Sequence, residues 1–551
     1  MIDKLVEEEL GAFTFPKLYV DQVSKELPFS FRIPQFFGKN DRERFEKGGT
    51  RDERPFWKEV LEQNARLGAG YLSLENAAAL SRGGAIPIVA GQQPGLLGGP
   101  LYTLYKVLTA ASLAEHLSLN REPGEGIGSR EVPSAETVRA VPVLWNASDD
   151  SDFVEVSSAT FFARDLSLRK LSAALSFHAQ GNMVGSTSNE AVNGPIETLM
   201  QDVDSSPAAS FVMSCIEDGL SVARDWGELF SALFLKLLPS SGLVVVDARL
   251  PSVAEHSRPV IEAYLNEADP IDTRVAARLE ELVREGYPEP ISHRSGDTCV
   301  FLRDGATRRK ITKEELPEMA DLWKKRKVEI LPNVLLGPIV RDYVMEPAAD
   351  VLGPSETSYY VVVAALADVL GLAQRPIFPR LSLTIVPSAV AALLGVESAG
   401  FKDLVLSYDK LAQSYFEKLV PEDVTRDLES LENEVRSASR RMLELAAASG
   451  RGAGDVASSA ARKIDFELGR VREGFVAAFR RKAMSENPML RKAGEFLLPS
   501  GNFQERSLCS LAPLIYGGEP LLRALGEVAG KHVLECLEHR VHHYIASAEI
   551  P

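Results

Sequence analysis

Cysteine is scarce in this sequence: four residues in 551, Cys215, Cys299, Cys509 and Cys536, widely spaced and without a CxxC pair. That spacing argues against a disulfide framework or a structural zinc site, and the four are expected to be reduced thiols. No base stands beside any of them in the sequence, which leaves catalytic use of one open. Long apolar runs are missing too; none approaches the roughly 18 uncharged residues needed to span a bilayer. The opening MIDKLVEEELGAF is acidic and lacks the basic-then-apolar order of a secretory signal. A soluble cytoplasmic protein is the expectation. Positive charge is in deficit, with 61 Lys and Arg against 77 Asp and Glu and a formal net charge of −16. Nucleic acid and anionic membranes are therefore disfavoured as partners, while small anions stay possible because local amide dipoles decide their binding.

Hydrophobic residues make up 45% of the chain, enough for a large core with attached modules. Ala85-Ile-Pro-Ile-Val-Ala90 is a short apolar run that breaks into Gly91-Gln-Gln-Pro-Gly-Leu-Leu-Gly-Gly-Pro100, and Leu101 to Leu119 then reads as an amphipathic helix. Strand, glycine-rich loop and helix in that order open a parallel α/β unit, with Pro100 suited to a first helical turn. Further apolar strands are predicted at Ala140–Trp145 and Gly242–Asp247, and a fourth at Leu381–Val386, with helices around 222–238 and 270–285. Continuous apolar strands separated by helices predict an α/β fold with a parallel sheet covered on both faces. Glu122–Val138 reads as a surface loop and 157–207 as an insertion. Asp423–Ala448 and Val456–Lys482 are long helical patterns around Ser449-Gly-Arg-Gly-Ala-Gly454, which predicts an antiparallel helical hairpin. Its apolar positions (Leu428, Leu431, Val435, Met442 and Leu445 on one arm, Ile464, Leu468, Val471 and Phe475 on the other) suit a coiled coil that pairs with a second copy or folds onto its own core. The domain reading is a core over 1–400, the hairpin over 401–495 and a returning segment over 496–551.

Three segments carry candidate chemistry. The loop Gln92–Gly99, with Gln93, Gly95, Gly98 and Gly99, offers backbone amides to a phosphate or carboxylate, or is a tight strand-to-helix connection. It is neither a Walker A motif nor a GxGxxG fingerprint. Lys106 either adds a positive charge there or is a solvated lysine. Trp145-Asn-Ala-Ser-Asp-Asp-Ser-Asp152 places Asp149, Asp150 and Asp152 at the carboxyl end of the second strand. These could hold magnesium (at Asp149 and Asp152), bind an ammonium group or take a proton, or form an acidic cap. Gly353-Pro-Ser-Glu356 opens another helix, with Ser355 and Glu356 in the first turn. His539, His542 and His543 lie at metal-compatible spacing on a possible helix, but read as surface histidines.

Taken together, six ordered segments resemble the bacillithiol-biosynthesis cysteine-adding enzyme family. They are Val89–Lys106, Val141–Trp145 with its acidic loop, Pro332–Leu336, Gly353–Glu356, Phe378–Leu381 and Leu498–Arg506. The resemblance implies a Rossmann-like nucleotide-binding core with inserted connecting segments and a coiled-coil arm used for homodimerisation. It implies a carbon–nitrogen ligase that adds L-cysteine to glucosaminyl malate, with ATP and magnesium as suspected cofactors. It adds Tyr102, Trp145, Asn333, Gly353, Tyr359 and Gln504 to the ligand-binding set, and Arg380 and Arg506 as partners for malate carboxylates. The glycine-rich segment is also similar to the signature loop of class I aminoacyl-tRNA synthetases, whose histidines are absent here. Two positions depart from the family pattern: Ser151 stands where a histidine is usual, and Gly337 where arginine is usual. Cysteine ligation to another amino sugar, or a non-catalytic nucleotide-binding dimeric scaffold, are the alternatives.

Overall fold

A computed structural model describes residues 2–13, 15–24, 55–118, 139–163, 167–174, 181–203, 205–294, 296–393, 402, 405, 420–449, 451–486 and 488–548. The predicted surface loop Glu122–Val138 lies outside them. Five parallel strands make the central sheet: β1 (Ala85–Gln92), β2 (Arg139–Asn146), β3 (Val244–Asp247), β4 (Ala349–Leu352) and β5 (Ile377–Pro379). Their spatial order is β3-β2-β1-β4-β5. The chain moves outward from β1 to β3, returns to the other side of β1 and moves outward again to β5. The strand order reverses between β1 and β4, which is where doubly wound sheets open a crevice beyond the strands' carboxyl ends.

The alternation of side chains along the strands sorts them onto two buried faces. Val89, Val141, Val143, Val244 and Val246 join one core cluster, together with residues of the helices Pro55–Arg66 and Tyr71–Ser81. Ile86, Ile88, Ala90, Ala140, Ala349, Val351 and Phe378 join the other, against helix α1 (Leu101–Ser118) and the helix Leu514–Leu537. Pro87 and Pro142 occupy inner strands, positions that proline's missing donor usually forbids; Pro87 still accepts from the Ala348 amide at 2.9 Å. The first half of α1 is buried on nearly all sides, Lys106 included, and is not the one-sided amphipathic helix its sequence suggests.

The predicted fourth strand exists as Leu383–Pro387, but it joins His542–Ala548 and Ile2–Glu9 in a separate three-stranded sheet. The fourth and fifth strands of the core are instead β4 and β5, four and three residues long. Runs that short cannot be told from a helix end by periodicity. The predicted insertion begins with the antiparallel pair Ser158–Phe162 and Leu168–Ser172 and continues through the helix Glu190–Asp202. Another small sheet, Thr307–Lys310, Val300–Asp304 and Glu329–Pro332, leads into α2 (Gly337–Met345), and α3 (Pro354–Leu370) follows β4.

The chain divides into two compact units, residues 1–385 with 502–551, and residues 386–501. The second unit contains the two long helices α4 (Glu422–Ala448) and α5 (Arg451–Glu486), which run antiparallel. Arg436 reaches Asp465 at 3.4 Å and Arg472 reaches Glu429 at 3.5 Å, fixing that direction. Leu428, Val435 and Met442, seven residues apart, are half-buried along the seam, whereas Leu431, Leu445, Val471 and Phe475 are exposed. No helix among the described residues is long and apolar enough to cross a membrane.

Candidate active site

The reversal between β1 and β4 brings together the loop after β1, the first turn of α3 and one face of α1. Lys106 spans the gap. Its Nζ donates to the Gly91 carbonyl at 2.9 Å and to Gln92 Oε1 at 3.0 Å, and pairs with Glu356 Oε2 across the switch point at 2.7 Å. Burial lowers its pKa against the raising effect of Glu356. The same Glu356 oxygen accepts from the Gly353 amide at 2.8 Å, so this acid closes the amino-terminal turn of α3 and fixes the lysine at once. Tyr102 presents its ring to Lys106 at 5.6 Å and to Arg380 at 5.3 Å. At the outer rim, Arg506 donates to Ser355 Oγ at 3.2 Å.

The acidic loop leaves β2, the next strand along, and its three aspartates have three different fates. Asp152 accepts from the amides of Val154 and Glu155, capping the short helix Phe153–Val156. Asp150 pairs with Arg308, and Gln93 donates to its other oxygen at 2.5 Å. Asp149 is half-buried, and its pKa rises to about 6, chiefly through burial and further through Asp150 and Asp247, against the lowering effect of Arg308. A carboxyl with that pKa changes protonation near neutrality, as a general base requires. Glu155 also lies on this side: it takes a hydrogen bond from Gln93, and burial raises its pKa.

Comparison with known proteins identifies the scaffold. The model of the family described as bacillithiol biosynthesis BshC, N-terminal Rossmann-like domain, matches residues 23–381. The chain belongs to the bacillithiol biosynthesis BshC family. Two relatives named "Putative cysteine ligase BshC", from Koribacter versatilis and Solibacter usitatus, are 28% and 27% identical. The first match covers 90% of each chain, and the second covers 84% of this chain and 85% of the relative. A relative of the same name from Bacillus cereus is 25% identical over 70% of this chain and 72% of its own.

Within this BshC-type core, several sequence-predicted site residues do structural work. The glycine loop is folded shut. A Cβ at Gly95 would overlap Gly99 Cα, one at Gly98 would sit 3.0 Å from Ser510 Cβ, and one at Gly99 would sit 3.3 Å from Thr103 Oγ1. Ser510 also donates through its Oγ to the Gly98 carbonyl and through its amide to the Gly99 carbonyl. Each of the three Cβ positions is already taken by a neighbouring group, as in a tight strand-to-helix connection. Arg380 is held through its two terminal nitrogens by Glu505 in a buried pair at 2.7 and 3.0 Å. This pair gives Arg380 a structural role in place of the predicted contact with malate. Gln504 clamps both backbone groups of Ile385, and Asn333 accepts from the amides of Leu335 and Leu336 ahead of α2. Trp145 and Tyr359 are partly buried against the core.

In the acidic loop Asp152 uses Oδ1 for its cap and Asp150 pairs with Arg308, so neither of these oxygens is unengaged. Among the described residues, only Glu7, Glu535 and His542 bring three ligand-type atoms within 4.8 Å of one another, and Lys531 and Arg540 already pair with those acids. His542 and His543 sit on a strand, not a helix. His543 is fully buried between Ser382 and Thr384 instead of on the surface, and burial drops its pKa to about 4. All four cysteines are buried free thiols whose pKa values burial raises, which disfavours the thiolate that a nucleophile needs. Arg308, Glu155 and Glu505 were not singled out from the sequence. Arg308 stands in Thr307-Arg-Arg-Lys310, an unremarkable basic stretch, and only the fold carries it to Asp150.

Proposed function

We propose that this chain joins L-cysteine to the amine of glucosaminyl malate, forming an amide in the final step of bacillithiol synthesis. The observation that carries the reading is Asp149, a half-buried carboxyl with a pKa of about 6 beside the switch-point crevice of a BshC core. An amine attacks a carboxyl carbon only as the free base, and the proton it loses on bond formation needs an acceptor; Asp149 has the pKa for that role. Condensation of a free carboxylate with an amine in water is uphill, so the cysteine carboxylate is activated first. We take ATP as the source: the carboxylate displaces pyrophosphate to give an acyl-adenylate, or ADP to give an acyl-phosphate, and the amine then displaces AMP or phosphate.

The closed glycine loop leaves the anionic groups to other partners. The first turn of α3, with exposed Ser355 and Arg506, offers the positive end of a 17-residue helix to phosphates or malate carboxylates. Gln93 and Glu155 line the acidic side and favour the amine. The exposed Leu431, Leu445, Phe466 and Val471 of the hairpin support a homodimer formed through that arm. Purified protein incubated with ATP, magnesium, cysteine and glucosaminyl malate should yield the cysteine amide, read by mass spectrometry. Product only with another amino sugar would change the acceptor. Nucleotide binding without any thiol product would establish the scaffold reading, which the serine at position 151 favours.

A further inference from the structure

Asp150 is the most restrained of the three aspartates. Its Oδ1 accepts from Arg308 Nη2 and from the Ser151 amide at 2.6 Å, and its Oδ2 accepts from Gln93 Nε2 at 2.5 Å. Both oxygens are committed, so this side chain is held in place and Asp149 is left as the reactive neighbour. The guanidinium that holds it comes from 158 residues further along the chain. Arg308 lies on the strand Thr307–Lys310 with its guanidinium over the Phe301 ring at 4.4 Å, and its Nε donates to Ser151 Oγ at 3.0 Å. The pair is well sheltered, with side-chain exposures of 10% and 24%, so solvent screens it less than a surface pair.

The backbone around Arg308 is tied to the same loop. Arg308 N donates to the Gly181 carbonyl at 2.9 Å and Met183 N to the Ala306 carbonyl at 2.7 Å. Val184 N then donates to the Asp150 carbonyl at 2.6 Å, and Gly185 N to the Ser148 carbonyl at 2.9 Å. The strand pair Val300–Asp304 and Thr307–Lys310, residues 181–185 and the acidic loop thus form one continuous hydrogen-bonded assembly. A planar fork meeting a carboxylate and a hydroxyl together fixes direction as well as distance, which an ammonium cannot do.

We propose that Arg308 is the positioning residue of the acidic loop, clamping Asp150 and Ser151 so that Asp149 keeps its place beside the crevice. This rests on the ligase reading. Arg308→Ala should lower kcat by about 30-fold while KM for ATP stays within about twofold, because geometry at the reacting centre is lost and remote binding is not. Millimolar guanidinium should restore several-fold of the lost turnover. Unchanged turnover, or a loss that guanidinium leaves untouched, overturns the proposal. If the alanine variant does not fold, Arg308→Lys decides: lowered kcat at constant KM supports the clamp, and parental kcat overturns it. A measurement that needs no substrate runs alongside. Amide hydrogen exchange across 147–152 should be about tenfold faster in the folded variant while β1 and β2 are unchanged. Unaltered exchange overturns the clamp. Should the parent protein make no amide, the ligase reading fails and the exchange measurement still judges Arg308.

Discussion

The glycine loop after β1 and the acidic loop after β2 leave neighbouring strands at the same end of one sheet, yet they meet opposite fates. Residues 94–99 of the first are buried and packed against Ser510, Thr103 and each other. The second stays half-open, held by side chains from two distant segments. Missing side chains create room, and a fold with a chain segment nearby fills that room. Charged side chains resist such closure because each must keep a partner or water. On the proposed reading the polar loop, not the glycine-rich one, is the surface offered to a ligand.

The largest effect should come from the open side. Asp149→Asn removes the proton acceptor and should cut turnover about 10²–10⁴-fold. In the parent, turnover should rise with pH through about 6 as Asp149 ionises, and that limb should vanish in the variant. The stability signature has the opposite sense. A carboxyl raised from 3.8 to about 6 favours its protonated form in the fold, so its contribution is complete below pH 3.8 and is lost as pH rises through 6. Above pH 6 the asparagine variant should therefore be at least as stable as the parent in chemical denaturation. A destabilised variant with normal turnover would reverse the roles assigned to the two loops.

Next are two substitutions on the closed side. Arg380→Ala strands the buried Glu505 carboxylate, with Ser382 and the Leu383 amide still pointing at it, and should cost about 3–5 kcal/mol in urea unfolding. If Arg380 instead served a substrate carboxylate, KM would rise with little change in stability. Gly95→Ala forces a methyl into Gly99 Cα and should cost about 1–3 kcal/mol. The glycine-cradle reading expects the reverse, an intact fold with lost ligand binding.

These contrasts mark where the sequence was readable. The β1–loop–α1 unit and β2 follow from apolar runs bounded by glycine and acid, and their register, Ala85 with Arg139 through Gln92 with Asn146, places the two loops side by side. The hairpin helices follow from the patterns at Asp423–Ala448 and Val456–Lys482, although the second helix starts earlier, at Arg451, inside the predicted glycine turn, and runs on to Glu486. What stayed hidden was pairing at a distance. Lys106 looks like any helical lysine until Glu356 comes within 2.7 Å, and Arg380 looks free until Glu505 closes on it. Chemistry legible as residue type could not be assigned to ligand or scaffold, because that depends on which partner the fold supplies.

The smallest effect sharpens the comparison within the acidic loop itself. Asp152 resembles Asp149 in the sequence, but its Oδ1 accepts from Val154 N at 3.1 Å and Glu155 N at 3.3 Å. Asp152→Ala should therefore cost about 1 kcal/mol of stability, the ordinary value of an N-cap, with turnover within about threefold of the parent. Asp152→Asn and Asp152→Ser retain a cap acceptor and should recover most of the stability. A metal ligand behaves differently: serine or asparagine would not replace its charge, and turnover would fall with a rising magnesium requirement. Full turnover in the serine variant places Asp152 with the scaffold; a steep magnesium-dependent loss returns it to the chemistry.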